Sequence, residues 1–318
     1  MSDFPKFVEI EEDGPREGFQ IEKNPIPTAR KIELIDALSG TGVRRIQIAS
    51  FVRPDAVPNM ADSEDVVAGI TPAPGVEYTG LWLNEKGLER AIATKRLTIE
   101  GGVTLAASET FLKRNQNRTL EEQIAGQKNI VEMYQRHGVP VHTGNLMAAF
   151  GCNFEGDIPE DKVIGLVGRI LEIAEAHGET IEQFNLLDTM AWATPDRIKR
   201  LVGRVRETWP EMALALHLHD TRGMGIANAY AGLEMGVAKF DSSIAGMGGC
   251  PFAGHAGAAG NVCTEDLVFL CDEMGIETGI DLEKLVACAE LAEEIVGHPL
   301  PGSVKVGGSL KRLREHAA

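Results

Sequence analysis

The chain lacks any apolar run approaching the roughly 20 residues that span a bilayer, so no membrane-spanning segment is expected. Residues 1–6 also lack the charged-then-apolar pattern of a secretory signal. Positive charge is scarce, with 31 Lys and Arg against 47 Asp and Glu and a formal net charge of −16. A field of that sign repels phosphate backbones and anionic lipid, which excludes nucleic acid and membrane surfaces as expected partners. An anionic substrate would need a local basic or metal centre. Cysteine is sparse as well: Cys152, Cys250, Cys263, Cys271 and Cys288 make an odd set without the paired spacing of a zinc site or a disulfide framework. They suit a reducing cytoplasm, and that is the expected compartment. No glycine-rich phosphate turn follows the first apolar segment, which argues against an open doubly wound dinucleotide-binding sheet. No linker or low-complexity tract divides the chain.

What is present is a regular alternation of short apolar segments with longer amphipathic ones, the appearance of repeated βα units around a parallel sheet. Strands are expected at 7–11, 45–51, 77–83, 97–106, 139–148, 183–188, 213–217 and 239–243. Helices are expected at 28–39, 85–94, 120–137, 160–177, 195–208 and 223–235. Several helices open on a cap or an early proline, as in Thr194-Pro195-Asp196, and end at glycine, as at Gly178 and Gly236. Eight such units make a closed barrel, which takes about 250 residues, and 318 residues at 43% hydrophobic accommodate one. The fold expected is α/β, a (β/α)₈ TIM barrel over residues 1–298 with an additional C-terminal helix. Residues 299–318 are expected as a loosely ordered tail or an oligomer contact, in a homodimer.

In such a barrel the residues at the carboxyl ends of the strands face the site. Leu214-Ala215-Leu216-His217-Leu218-His219 is an apolar strand ending in two histidines, and a period of two puts both imidazoles on one face. They suit a first-row divalent metal, and added oxygen ligands would shift the preference toward Mg²⁺ or Mn²⁺. Solvated or core histidines are the bland alternative. The first strand ends in Gly14-Pro15-Arg16-Glu17-Gly18, where Glu17 can reach a metal and Arg16 can neutralise a carbonyl oxygen or carboxylate; a surface ion pair is the other reading. Asp188 closes an apolar strand and is either a site residue or a helix cap. Residues 245–261 are rich in glycine and carry Cys250, which suits a loop closing over a ligand. Asn261 could add an amide oxygen to the metal or satisfy the turn.

Taken together these segments resemble the metal-dependent barrel lyases typified by the 3-hydroxy-3-methylglutaryl-CoA lyase family. The resemblance runs over nearly the whole chain. It is carried by Gly14-Pro15-Arg16-Glu17-Gly18-Phe19-Gln20, Ala49-Ser50-Phe51-Val52, Ala107-Ser108-Glu109, Phe150-Gly151-Cys152, Asp188-Thr189, His217-Leu218-His219-Asp220-Thr221, Gly246-Met247-Gly248-Gly249-Cys250-Pro251 and Gly260-Asn261. It implies His217, His219 and Asn261 as metal ligands, with Glu17 where the family has a ligating aspartate. It implies Arg16 for the enolate oxygen, Asp188 as an acidic catalytic residue and Cys250 as the proton donor of a mobile loop. The reaction implied is retro-Claisen cleavage of a 3-hydroxy-3-methylglutaryl-CoA-like or citramalyl-CoA-like thioester to acetyl-CoA and an oxo acid, with Mg²⁺ or Mn²⁺ as cofactor.

This chain departs from the family pattern at several points. Glu17 replaces an aspartate, and Gln47 stands where the family has a glutamate. The stretch from Cys250 to Asn261 is longer by Gly254-His255. His142-Thr143-Gly144-Asn145 occupies a place with an arginine and a tyrosine in the family, which makes His142, Asn145 and Gln47 candidate substrate contacts beside Arg16. Lys113, Arg114 and Asn115 are candidates for the adenine end of CoA. A Claisen-condensing synthase or aldolase of the same superfamily, or an inactive metal-binding barrel, are the alternatives. The first usually carries a long regulatory C-terminal domain that is absent here.

Overall fold

The computed structural model describes residues 4–249 and 260–317. Eight strands are present: β1 (Glu9–Glu12), β2 (Arg45–Ser50), β3 (Glu77–Leu81), β4 (Gly101–Ala106), β5 (Val141–Met147), β6 (Gln183–Asp188), β7 (Ala213–Leu218) and β8 (Lys239–Ser242). Each is followed by a helix before the next begins, β8 by Thr264–Met274, so the (β/α)₈ arrangement expected from the alternation is the one observed. Helices Ser63–Gly69 and Glu109–Gln116 were not expected from periodicity, because about two turns each hold only two buried apolar residues, too few to mark a repeating face. Residues 97–100 fall outside β4.

The described chain divides into two compact units. In the unit Ile99–Phe240, β4, β5, β6 and β7 pair in order as a parallel ladder, with Gly144 opposite Phe184 and Leu187 opposite His217. Val103, Leu105, Leu146, Phe184, Leu186, Leu216 and Leu218 are fully buried, whereas the residues alternating with them on β4 to β6 are half-buried and mostly polar. That alternation assigns one strand face to the helices and the other to the barrel interior. Gly144 allows the close approach of strand and ring, since a Cβ there would meet Phe184 Cδ2 at 2.6 Å. Helix Pro195–Thr208 starts with Thr194 accepting from Arg197 N and with proline in its first turn. It buries Ile198, Leu201, Val202 and Val205, a single stripe at i, i+3, i+4 and i+7.

The other unit comprises Lys6–Thr98 with Asp241–Gly249 and residues 260–317. Here β1, β2 and β3 pair in parallel, Glu11 opposite Arg45 and Gln47 opposite Thr79. Helices Thr28–Ser39 and Leu282–Val296 bury Leu34, Ile35, Leu38, Leu285, Ala289 and Ala292. The end of the chain is helical at Val304–Gly307 and Leu310–Ala317, and Arg314 pairs with Glu273, so these residues have regular structure.

Candidate active site

In the unit Ile99–Phe240 the polar residues gather where β6 and β7 end. Leu214, Leu216 and Leu218 alternate along β7 as buried side chains. His217 and, two residues on, His219 take the opposite face. Their Nε2 atoms lie 3.2 Å apart, and both residues are 6% exposed. Metal–nitrogen bonds of about 2.1 Å meeting at a right angle put two nitrogens about 3.0 Å apart, so the pair has the spacing of neighbouring ligands on one cation.

Asp188 closes β6 beside Leu218. Its Oδ1 accepts from Trp192 N (2.7 Å) and Ala193 N (3.1 Å), holding the turn that leads to Thr194, the actual helix cap. Its Oδ2 is buried and meets no hydrogen-bond donor among the described residues. Burial pushes the carboxyl up to about 7, against the pull of the two backbone N–H groups, His217 and Arg222. A carboxyl poised near neutral pH with one unengaged oxygen can accept a proton.

Asn145 lies at the middle of β5 on the interior face. Its Nδ2 donates to Thr104 Oγ1 (3.3 Å), and its Oδ1 accepts from Asn185 Nδ2 (2.8 Å). His142 sits at the amino-terminal end of the same strand, 3.7 Å from Glu100, and is not brought to the strand ends with Asp188 and the histidines. Lys113, Arg114 and Asn115 belong to the last turn of helix Glu109–Gln116, where Arg114 stacks over Phe154 at 4.2 Å.

In the other unit, β1 runs directly into a π-helical turn, Gly14–Gly18, closed by Asp13 O accepting from Arg16 N (3.0 Å) and Glu17 N (2.8 Å). A Cβ at 14 would lie 2.6 Å from Glu12 Oε1, so glycine lets the Gly14 N–H approach that carboxyl group without moving it. The turn directs Arg16 and Glu17 to common partners. Arg16 Nε donates to Gln47 Oε1, and its guanidinium lies 2.8 Å from Glu17 Oε1. Glu17 Oε2 in turn accepts from Asn261 Nδ2 (3.0 Å). With its amide nitrogen so engaged, Asn261 leaves Oδ1 buried and without a hydrogen-bond donor among the described residues. Burying a bare amide oxygen costs about 1–3 kcal/mol, and a cation would offset it. Arg16, Glu17, Gln47 and Asn261 are thus brought together by these contacts.

Three acids that sequence reading did not single out lie around it. Glu12 is fully buried and accepts from Gly14 N and Ile244 N (both 2.8 Å) and from Thr264 Oγ1 (2.5 Å). Burial pushes it up to about 7 despite those bonds. Glu265 accepts from Ala245 N (2.9 Å), and burial pushes it up to about 8. Between them they pin Ile244 and Ala245, the latter a non-glycine residue at φ 55°, at the start of the segment that leads to Cys250. Asp13 is held well above the usual carboxylate range by burial, then by Asp241, Glu11 and Glu17, with Arg16 opposing. The available signal was Glu9, Glu11 and Asp13 at alternate positions of a strand whose other face holds Val8 and Ile10. Cys250, Gly254 and His255 lie outside the described residues.

The HMGL-like family model matches residues 7–292. The hydroxymethylglutaryl-CoA lyase of Gallus gallus mitochondria is 41% identical over 285 residues, covering 89% of this chain and 91% of its own. The hydroxymethylglutaryl-CoA lyase of Bacillus subtilis is 38% identical over 303 residues, covering 94% and 96%. Among solved structures, an HMG-CoA lyase from Acinetobacter baumannii in complex with coenzyme A and 3-methylmalate superimposes with a TM-score of 0.85 at 40% identity, covering 97% of each chain.

Proposed function

The chain belongs to the HMGL-like family, and from that premise we propose that it is a divalent-metal-dependent carbon–carbon lyase. Its substrate is a 3-hydroxyacyl-CoA of the 3-hydroxy-3-methylglutaryl or citramalyl type, cleaved to acetyl-CoA and an oxo acid. The observation that carries this reading is the pair of imidazole nitrogens 3.2 Å apart at the end of β7. The donor set fits a cation on the chain's own terms: His217 and His219 supply nitrogen, Asn261 an uncommitted buried oxygen, and Glu17 a carboxylate. Two imidazoles with two oxygens suit Mg²⁺ or Mn²⁺. When bound, such an ion supplies Lewis acidity that lowers the pKa of a substrate hydroxyl.

The chain's own residues do the rest. Asp188 takes the hydroxyl proton on Oδ2, the oxygen left free by the turn. The electrons of the broken C–C bond pass to the thioester carbonyl, and Arg16 stabilises the enolate oxygen as charge develops. Gln47 holds the guanidinium through Nε and Glu17 through one terminal nitrogen, which leaves the other terminal nitrogen for that oxygen. Cys250 delivers the proton to the enolate carbon, completing acetyl-CoA. Asn145, oriented by Thr104 and Asn185, contacts the distal part of the substrate.

No helix among the described residues is long and apolar enough to cross a membrane. Cys152, Cys271 and Cys288 are buried thiols, in keeping with the reducing cytoplasm we propose. We expect a homodimer, with exposed Val306 and Leu313 near the chain end as candidate contacts. The activity is tested by incubating purified protein with Mg²⁺ or Mn²⁺ and 3-hydroxy-3-methylglutaryl-CoA or citramalyl-CoA. Release of acetyl-CoA and an oxo acid is expected from one of them, and metal uptake without any release rejects the lyase reading.

A further inference from the structure

Asp188 opens a turn that is tied to the loops on both sides of it. Within the turn, Asp188 Oδ1 accepts from Trp192 N and Ala193 N, and Asp188 O accepts from Ala191 N (3.1 Å). Ala191 stands at φ 56°, in the left-handed region that a residue with a Cβ keeps only where its surroundings hold it. On the side of β5, Ala148 N donates to Thr189 Oγ1 (2.9 Å) and Trp192 Nε1 to Asn153 Oδ1 (2.6 Å). The Trp192 side chain lies on Gly151, where a Cβ would meet it at 2.7 Å.

On the side of β7 the tie is a single guanidinium. Arg222, on the loop that follows His219, donates from Nη1 to Ala191 O (2.9 Å) and, at a longer 3.4 Å, to Met190 O. These carbonyls flank the left-handed residue. The loop that carries Arg222 is itself fixed, since Asp220 Oδ1 accepts from Gly225 N (2.5 Å) and Asp220 O from Gly223 N (3.0 Å). A hydrogen bond from a charged donor is about twice as strong as a neutral one, which suits a side chain that must hold backbone in an unfavourable conformation. Were Ala191 to relax to negative φ, the peptide groups around it would turn and carry Trp192 N and Ala193 N away from Oδ1. The carboxyl of Asp188 would then be free to rotate.

We propose that Arg222 is a positioning residue for Asp188: by holding the carbonyls of Met190 and Ala191 it keeps Ala191 left-handed, keeps two backbone N–H groups on Oδ1, and so leaves Oδ2 as the oxygen offered to the substrate. Arg222 acts through the turn and touches no reacting atom. Its effect on turnover rests on the lyase reading above, whereas its hold on the turn is a property of the folded chain.

Arg222→Gln, Arg222→Lys and the double variant Arg222→Gln/Ala191→Gly test this in the full chain with two readouts. The first is amide hydrogen exchange over residues 189–194, followed by mass spectrometry without substrate. Arg222→Gln should speed exchange there by at least about tenfold, and Arg222→Lys, which keeps a charged donor, should stay within about threefold of wild type. Glycine adopts φ 56° at little cost, so the double variant should return to within about threefold as well. The second readout is turnover at saturating Mn²⁺ of whichever of 3-hydroxy-3-methylglutaryl-CoA and citramalyl-CoA the wild type cleaves. Arg222→Gln should lower kcat by about 10–10²-fold with KM and Mn²⁺ affinity within about threefold, and the lysine and double variants should recover most of that loss.

Unchanged exchange in Arg222→Gln overturns the proposal. So does a raised KM at constant kcat, which would make Arg222 a substrate contact, or a loss of Mn²⁺ affinity in step with kcat, which would place it in the cation site. An equal loss with and without Ala191→Gly overturns the link through Ala191. If Arg222→Gln yields no folded protein, folding of the double variant supports the proposal and failure of both overturns it. If the wild type cleaves neither thioester while exchange follows the expected pattern, the lyase reading is rejected and the hold of Arg222 on the Asp188 turn is upheld.

Discussion

The interior strand faces of the two units are built from different chemistry. In the unit Ile99–Phe240 the side chains form a neutral ladder: Gln183 Nε2 donates to Asn185 (2.7 Å), Asn185 to Asn145 (2.8 Å), and Asn145 to Thr104 (3.3 Å). In the other unit the corresponding faces carry Glu11, Arg45, Glu77, Asp13 and Asp241. A ladder of amides and a hydroxyl fixes orientation without a net field. Asp188, near its end, is shifted by burial with no anionic neighbour among the causes. Asp13 is shifted by burial and by three acids together. One unit thus sets a buried carboxyl beside a neutral ladder, and the other crowds several carboxyls near arginines.

The largest effect that would break this contrast lies at the histidine pair. His219→Ala should lower metal affinity and turnover together, by at least about 10³-fold in turnover, as metal titration and product release would show. Retained affinity would remove the cation from the account. Asp188→Asn should lower kcat by about 10²–10⁴-fold while metal affinity stays within about tenfold, because it removes the acceptor and keeps the turn. Loss of metal affinity in step with kcat would make Asp188 part of the cation site. Cys250→Ala should abolish turnover and leave metal affinity unchanged, and an unaltered rate would reject its assignment as the proton donor.

A smaller effect sharpens the charged side of the comparison. Glu12 titrates near 4.5 when unfolded and about 7 when folded, so the native state binds the extra proton between those values. Stability associated with it is fully present below about pH 4.5 and is lost as pH rises through about 7, a change of about 3 kcal/mol. Glu12→Gln should flatten that part of a denaturant-midpoint profile, and an unchanged slope would show that Glu12 is not held neutral. The smallest effect belongs to the neutral ladder: Asn185→Ala leaves Asn145 short of one donor and should cost about 1–2 kcal/mol in urea unfolding. A loss well above that would mean the ladder carries more than orientation.

Much of this was legible in the sequence. Periodicity located all eight strands, because apolar residues on the helix-facing side of a parallel barrel strand recur whatever fills the other side. Motifs singled out Arg16, Glu17, Gln47 and Asn261 one by one, and the contacts that join them, Arg16 to Gln47 and Glu17 to Asn261, are visible only in the fold. Short helices such as Glu109–Gln116 were not legible, since eight residues hold too few apolar positions to declare a face. Nor was the placement of His142, because a strand's residues share a pattern at both ends and only the register shows which end is which. Glu12 and Glu265 escaped for a different reason: a buried acid is recognisable by the donors around it, and beside the local Gly14 N–H those come from residues 244, 245 and 264, distant in sequence from Glu12.

The proposed cation is held by two imidazoles together with oxygen ligands. Titration of the full chain with Mn²⁺ at neutral pH, followed by pulsed electron paramagnetic resonance for coupled nitrogen, examines those bonds. One Mn²⁺ per chain is expected, displaced by Mg²⁺, with coupling from two imidazole nitrogens that falls to one in His219→Ala at Mn²⁺ concentrations high enough to load the variant. No uptake, or a bound ion without nitrogen coupling, would rule out the two imidazoles as ligands.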